Sequence, residues 1–343
     1  MTGEAYTHGS LVISITHRHS PSRLWPVLNY VLQRLLGAVL TLLIAAALVF
    51  GILLTIPGDP AQTVLGLDAA PEALARLRGQ MGLDQAPLTR FVGWLSGALQ
   101  GDLRQSIRYD APVSELLGQR LGVSLPLIGL TLLFSSLLAL WLGGAAARSA
   151  VRPGERGRDT LITTLAVLVS ALPSFWVGLM LMLAFAVGLG WLPSGGFPGW
   201  QDPDRALLAL VLPVLTLTLT RVAVLSRMVR ASLLDALSQD YVRTARAKGV
   251  SERRVLYRHA LRNALIPIVT VLGVQFAELL TASVIVEVVF SLPGFGTLVL
   301  TAIEARDYPM VQGIVLVLSA LVILANLLVD LSYAALDPRV SYG

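Results

Sequence analysis

Six runs of apolar residues, each long enough to cross a lipid bilayer as a helix, constrain this chain more than any other feature. A hydrocarbon core about 30 Å thick needs about 20 residues at about 1.5 Å of rise each. Inside it, only a helix or a closed barrel satisfies every backbone N–H and C=O. The runs lie at about 36–56, 124–146, 159–190, 206–228, 264–290 and 310–334. The sequence therefore predicts an all-α polytopic membrane protein with six transmembrane helices. The third run exceeds the bilayer thickness and carries Pro173, so it is expected to kink at Leu172-Pro173 or to tilt. A charged share of 14% fits this class, because soluble domains carry about 25%.

The basic residues fall between these runs and set an orientation. Arg18, Arg23 and Arg34 lie in or beside a tail spanning 1–33, and Arg148, Arg152, Arg156 and Arg158 follow the second run. The 229–263 loop is the most basic, whereas 191–205 and 291–309 hold one arginine each. All basic loops share one side if both termini are cytoplasmic, and this topology also accounts for the net charge of +5 without nucleic acid as a partner. The 57–123 segment is mixed in charge and long enough to cross regardless, so it is placed outside. The first run reads as an uncleaved anchor. Within 57–123 two amphipathic helices are expected, one opening at Pro71-Glu72 and one over Leu88–Leu99 with Phe91, Trp94, Leu95 and Ala98 on one face. They lie against the bilayer surface or neighbouring spans, or they guide substrate inward.

The 229–263 loop is structured. Arg243 to Lys248 favours a helix, and Gly249 suits the left-handed position just past its end. Val250 supplies the accompanying apolar contact, and Lys248 suits the negative helix terminus. Ser251 is positioned to cap a second helix with Glu252 in its first turn. That helix carries Arg254, Arg258 and Arg262 opposite Leu256 and Ala260, with His259 between them. Two readings stand: an anchor for anionic lipid headgroups, or a docking element for another protein. The Gly-Val-Ser turn is explained only by the second.

This element resembles the cytoplasmic coupling loop of ABC-importer permeases. Gly249 matches the family glycine, Arg243, Thr244 and Ala245 occupy the three leading positions, and His259 and Leu261 stand at the Ile and Leu positions. Arg262 replaces the proline, and Pro267 arrives five residues later. The longer string YVRTARAKG…HALRNALIP is similar to the dipeptide, oligopeptide and nickel branch. So are IPGDP at 56–60, MGLDQAPLTRFVGWLSGALQGDLRQS at 81–106, LPSFWVGL at 172–179, SLPGFG at 291–296, ARDYPMVQG at 305–313 and LDPRV at 336–340. The resemblance implies a type I ABC importer permease fold over 34–343 in a bacterial cytoplasmic membrane. It also implies a second homologous permease, two cytoplasmic ATPase subunits, and an extracytoplasmic solute-binding protein. Cargoes of this branch are di- and oligopeptides, glutathione, nickel complexes and some sugars.

The only lysine, Lys248, stands in Ala247-Lys248-Gly249 and not in a phosphate-binding loop. ATP and magnesium are therefore expected on partner subunits, with no cofactor and no catalytic residue on this chain. His8, His17 and His19 read as a solvated tail, no zinc-ligand spacing occurs, and the absence of cysteine removes thiolate chemistry. Polar residues inside spans are costly and mark candidates for the translocation path. Gln275 and Glu278 share a face of the fifth run. Glu278 lines a conduit or bonds to a neighbouring helix. Glu287 shapes the outer gate or a helix end, and Arg221 pairs with an acid or reaches inward. Asp330 is expected at an interface. A self-contained ion-coupled transporter using Glu278, Glu287 and Arg221 as a relay is the competing reading.

Overall fold

The computed structural model describes residues 24–336 except 56, 67, 68 and 153. The tail histidines and most of LDPRV lie outside the described residues. Among the described residues, the regular structure is helical apart from one small β-hairpin. The helices are α1 Leu24–Thr55, α2 Pro60–Leu65, α3 Pro71–Met81, α4 Pro87–Leu99, α5 Val113–Val151, α6 Arg156–Ser170 and α7 Ser174–Leu181. They continue with α8 Pro203–Ser238, α9 Asp240–Ala247, α10 Glu252–Arg254, α11 Leu261–Val289, α12 Phe295–Glu304 and α13 Tyr308–Leu336. Strands β1 Gln105–Ser106 and β2 Ala111–Pro112 pair antiparallel.

Five helices, α1, α5, α8, α11 with its lead-in, and α13, are long and apolar enough to cross a bilayer. The third apolar run is broken: Gly157–Ser170 and Ser174–Gly188 meet at 97°. Pro173 has no N–H for the ladder and disfavours helical geometry at Leu172, so the helix ends there and restarts. The restart passes from α7 into a π-helical stretch, Met182–Gly188. Two spans outrun their apolar runs. α5 begins at Val113, and α8 continues through Ser238 because Val229, Leu233, Ala236 and Leu237 still have a helix to pack against. Prolines 126, 213 and 267 sit inside α5, α8 and α11 without ending them.

Three buried clusters stack along the bundle. One joins the ends of α5 and α8 to the 240–260 segment, through Ala147, Leu233, Val242, Val255 and Leu256. A middle cluster joins α5, α8 and α11 through Leu127, Leu210, Leu217 and Leu279. The third joins α5, α12 and α13 through Val113, Leu117, Phe295, Leu298 and Met310. The 240–260 segment and the 60–112 segment thus occupy opposite ends. Within a bilayer, helices associate through close packing and not through exclusion of water, and small residues make that possible. On α5, a Cβ at Gly143 would stand 2.5 Å from the Ser226 carbonyl oxygen of α8.

Candidate functional site

At one end of the bundle, α9 closes in a left-handed turn. Gly249 has φ +77°, its N–H donates to the Arg246 carbonyl at 2.9 Å, and the Val250 N–H donates to the Ala245 carbonyl at 3.2 Å. This is the Schellman arrangement, in which two otherwise orphaned carbonyls of the last turn gain donors. Ser251 takes the extended backbone of a cap, but its side chain accepts no bond from the next helix. Across the turn, Arg246 donates through Nε and Nη2 to the two oxygens of Glu252 at 2.8 and 3.2 Å, which ties the end of α9 to the start of α10 without capping it. The following helix is only one turn, α10, before a π-helical stretch, Val255–Ala260, that runs into α11.

The hairpin has two faces. Val242, Ala245, Val255, Leu256 and Ala260 are buried against α5 and α8, with Val250 packed beside them. Arg243, Thr244, Lys248, Ser251, Arg254, Arg258 and Arg262 are exposed, and the Arg243 side chain is 82% so. The Arg148 guanidinium of α5 stands 5.9 Å from the Tyr257 ring centroid and ties the π stretch to the bundle. The His259 side chain lies outside what the structure describes. The apolar face fixes the hairpin to α5 and α8, its chain runs on into α11, and the basic face is left open.

Midway along the bundle, Arg221 of α8 donates through Nη1 to Glu278 Oε2 of α11. The Glu278 side chain is 50% exposed, and α11 carries an exposed stripe of Thr270, Val274, Glu278, Thr281, Ile285 and Val288. Their spacing of three and four residues puts them along one side of the helix. A half-exposed carboxylate near the middle of a span is too costly to face hydrocarbon, so this stripe faces another subunit or water. Gln275 sits three residues from Glu278 yet is buried, and its Oε1 has no hydrogen-bond partner among the described residues.

Glu287 is on no open surface. Its side chain is fully buried and accepts from Ser124 Oγ at 2.6 Å, the Gly296 N–H at 2.7 Å and the Thr297 N–H at 3.3 Å. Ser124 in turn accepts from the Phe295 N–H at 2.7 Å. Glu287 and Ser124 therefore act as the N-cap of α12 from outside that helix, where a carboxylate meets both the free N–H groups and the positive helix end. SLPGFG makes this possible: a Cβ at Gly294 would fall 2.2 Å from Glu287 Cδ, and one at Gly296 would fall 2.6 Å from Val284 Cα.

Three further ties were not drawn from the sequence as pairs. Arg230 of α8 grips Asp159 of α6 with two bonds of 2.6 and 2.5 Å. Asp307 caps α13 through the Met310 N–H at 3.2 Å and also accepts from Ser106 Oγ at 2.5 Å and the Arg108 N–H at 3.1 Å. Arg34 pairs with Asp330 at 3.1 Å, joining α1 to α13. Ser106 and Asp307 stand in GDLRQS and ARDYP, but nothing local told which partner either residue, or the arginines and acids of the other two ties, would find.

Comparison with known proteins gives this arrangement its family. Residues 122–342 match the model of the binding-protein-dependent transport system inner membrane component, and residues 27–119 match its N-terminal companion. The chain is 44% identical over 316 residues to the glutathione transport system permease protein GsiC of Salmonella paratyphi A, covering 92% of this chain and 100% of that protein. The GsiC protein of Escherichia coli is 43% identical with the same coverage. The inward-facing MetNI methionine ABC transporter superposes with a TM-score of 0.53 at 17% identity, over 65% of this chain and 96% of the other, which is a likeness of fold. The chain thus belongs to the binding-protein-dependent transport system inner membrane components, as a permease subunit of an ABC importer with the type I permease fold.

Proposed function

We propose that this permease conducts glutathione or a chemically related short peptide into the cell, and that separate ATP-hydrolysing subunits drive it through the hairpin around Gly249. In this reading both termini and the hairpin are cytoplasmic, two ATPases bind ATP and magnesium, and a second homologous permease completes the passage. An extracytoplasmic binding protein delivers the cargo at the 60–112 end. The observation that carries the coupling role is the hairpin itself: an apolar face locked to α5 and α8, a basic face left open, and a turn held by backbone bonds. The full-length likeness to glutathione permeases supports the cargo.

The Arg221–Glu278 pair fits such a cargo. A peptide carries an ammonium group and one or more carboxylates, and each half of the pair can exchange its partner for the opposite charge on the substrate. Because the pair is neutral when closed, a passage lined by it offers no fixed charge to bare ions.

Gly249→Val tests the coupling role. No atom stands within 4 Å of the position a Cβ would take, so the substitution acts through backbone conformation alone. A β-branched residue at φ +77° costs on the order of 1–2 kcal/mol, enough to open the turn without unfolding the spans. In proteoliposomes holding the complete transporter, the variant hydrolyses ATP but takes up glutathione at least about tenfold more slowly per ATP. Uptake per ATP equal to the wild type would sink the coupling role. Uptake that ignores glutathione but responds to dipeptides in the wild type would move the cargo and leave the coupling intact.

A further inference from the structure

At the end of the bundle opposite the hairpin, a cavity of about 520 Å³ lies between α1, α3, α4, the β-hairpin and the start of α13. Two arginines line it, Arg90 of α4 and Arg104 just before β1, together with Asp110. Neither arginine forms an ion pair among the described residues, and Arg90 Nε is buried with no hydrogen-bond partner. The Arg90 guanidinium lies 5.7 Å from the Phe50 ring centroid, near the end of the α1 span. Its pKa is drawn below the usual arginine range, first by burial and then by repulsion from Arg104. Arg104 itself is held at φ +68°, a conformation disfavoured for a residue with a Cβ. Two like charges kept together, with Asp110 the single carboxylate of the lining and ion-paired to neither, are an unfinished arrangement. With Asp110 counted, the lining carries one net positive charge.

The surroundings specify what completes it. A second cavity of about 120 Å³ shares Phe50, Arg90, Tyr308 and Gln312 with the first and adds Leu53, Leu54 and Leu83. The charged site therefore continues beside the end of a span into a smaller space whose far wall is Leu53, Leu54 and Leu83. On the neighbouring α4, Leu88, Val92 and Leu99 are exposed on one face, away from buried Trp94. A face of this kind suits a bilayer surface, and a cavity beside it then stands at headgroup depth. We propose that this cavity binds an anionic phospholipid, with the headgroup phosphate between Arg90 and Arg104 and the start of an acyl chain along Leu53, Leu54 and Leu83. Arginine suits that role because its planar fork meets phosphate oxygens in pairs. The lipid would fasten α4 and the β-hairpin to the ends of α1 and α13.

Native mass spectrometry of the full chain tests this, after purification in mild detergent with the subunits that accompany it and exchange into micelles carrying phosphatidylglycerol. The wild type retains one phosphatidylglycerol through washing. Arg90→Gln/Arg104→Gln lowers its apparent affinity about thirtyfold, as expected for removing two basic residues from an anionic lipid site. Leu83→Trp fills the smaller space while keeping both arginines in the chain and also displaces the lipid, which separates occupancy from charge-induced misfolding. Arg108→Gln removes an exposed arginine from the same hairpin outside the cavity and keeps it. Unchanged retention in the double variant overturns the site, and equal loss in Arg108→Gln reduces it to diffuse surface charge. A double variant that keeps its lipid but loses binding of glutathione or inorganic phosphate assigns the arginines to a soluble anion, which also overturns it.

Discussion

Glu278 and Glu287 stand nine residues apart on one helix, in the same kind of apolar sequence, and do opposite things. Glu278 is half exposed and meets one arginine, whereas Glu287 is enclosed and holds three donors. Sequence placed both on the fifth span and proposed an outer-end role for Glu287, but it gave no means of telling which carboxylate is enclosed. The deciding partner, Ser124, lies 163 residues away in the chain. Glu287→Ala strips the acceptor from two backbone N–H groups and one hydroxyl in a buried site. It should destabilise the protein by on the order of 3 kcal/mol and lower the thermal midpoint in detergent. Glu287→Gln keeps one carbonyl oxygen for the two N–H groups and should cost roughly 1 kcal/mol. Equal midpoints for wild type and Glu287→Ala would show that the α12 cap contributes nothing.

At the scale of elements, apolar run length pointed to the five unbroken helices long enough to cross a bilayer, because the bilayer imposes the same requirement on each. The third run is instead a pair of helices broken at Pro173. Run length misjudged the helix ends. α8 runs ten residues past its apolar stretch, since a helix stops where its packing partner stops and not where hydropathy changes. The break at Pro173 was legible from proline chemistry, but its 97° angle was not, because that depends on where α6 is tied. The Arg230–Asp159 grip supplies that tie. The α5–α8 contact offers a sharp test of close packing. In Gly143→Ala the new methyl meets a backbone oxygen at 2.5 Å, so the helices must separate by about 1 Å to restore ordinary contact. Gly144→Ala, one residue on, meets only the end of Leu233 at 4.0 Å. Gly143→Ala should therefore lose roughly 1–3 kcal/mol and become protease-sensitive between α5 and α8, while Gly144→Ala behaves as wild type. Matching behaviour of the two would mean that the crossing is not held by backbone proximity.

For the whole molecule, the open question of surface is which exposed apolar side meets lipid and which meets protein or water. Composition cannot separate them, because lipid tails and subunit interfaces both take Val, Ile and Leu. The charge on α11 separates them: Glu278 shares its stripe with Thr281, Ile285 and Val288, so that side is turned from hydrocarbon. On α13, exposed Leu324 and Leu328 have no such neighbour and fit a lipid-facing surface. Because the chain has no cysteine, single-cysteine variants report without background from this subunit. A thiol reacts as thiolate, and hydrocarbon suppresses ionisation. In the assembled transporter, Thr281→Cys should react with a charged, membrane-impermeant thiol reagent at least about tenfold faster than Leu328→Cys, and substrate should slow the reaction. Thr281 is chosen over Glu278 because its replacement leaves Arg221 paired. If Thr281→Cys and Leu328→Cys react equally slowly in every nucleotide state, the α11 stripe does not line a water-filled passage, and Arg221–Glu278 becomes a structural tie between α8 and α11.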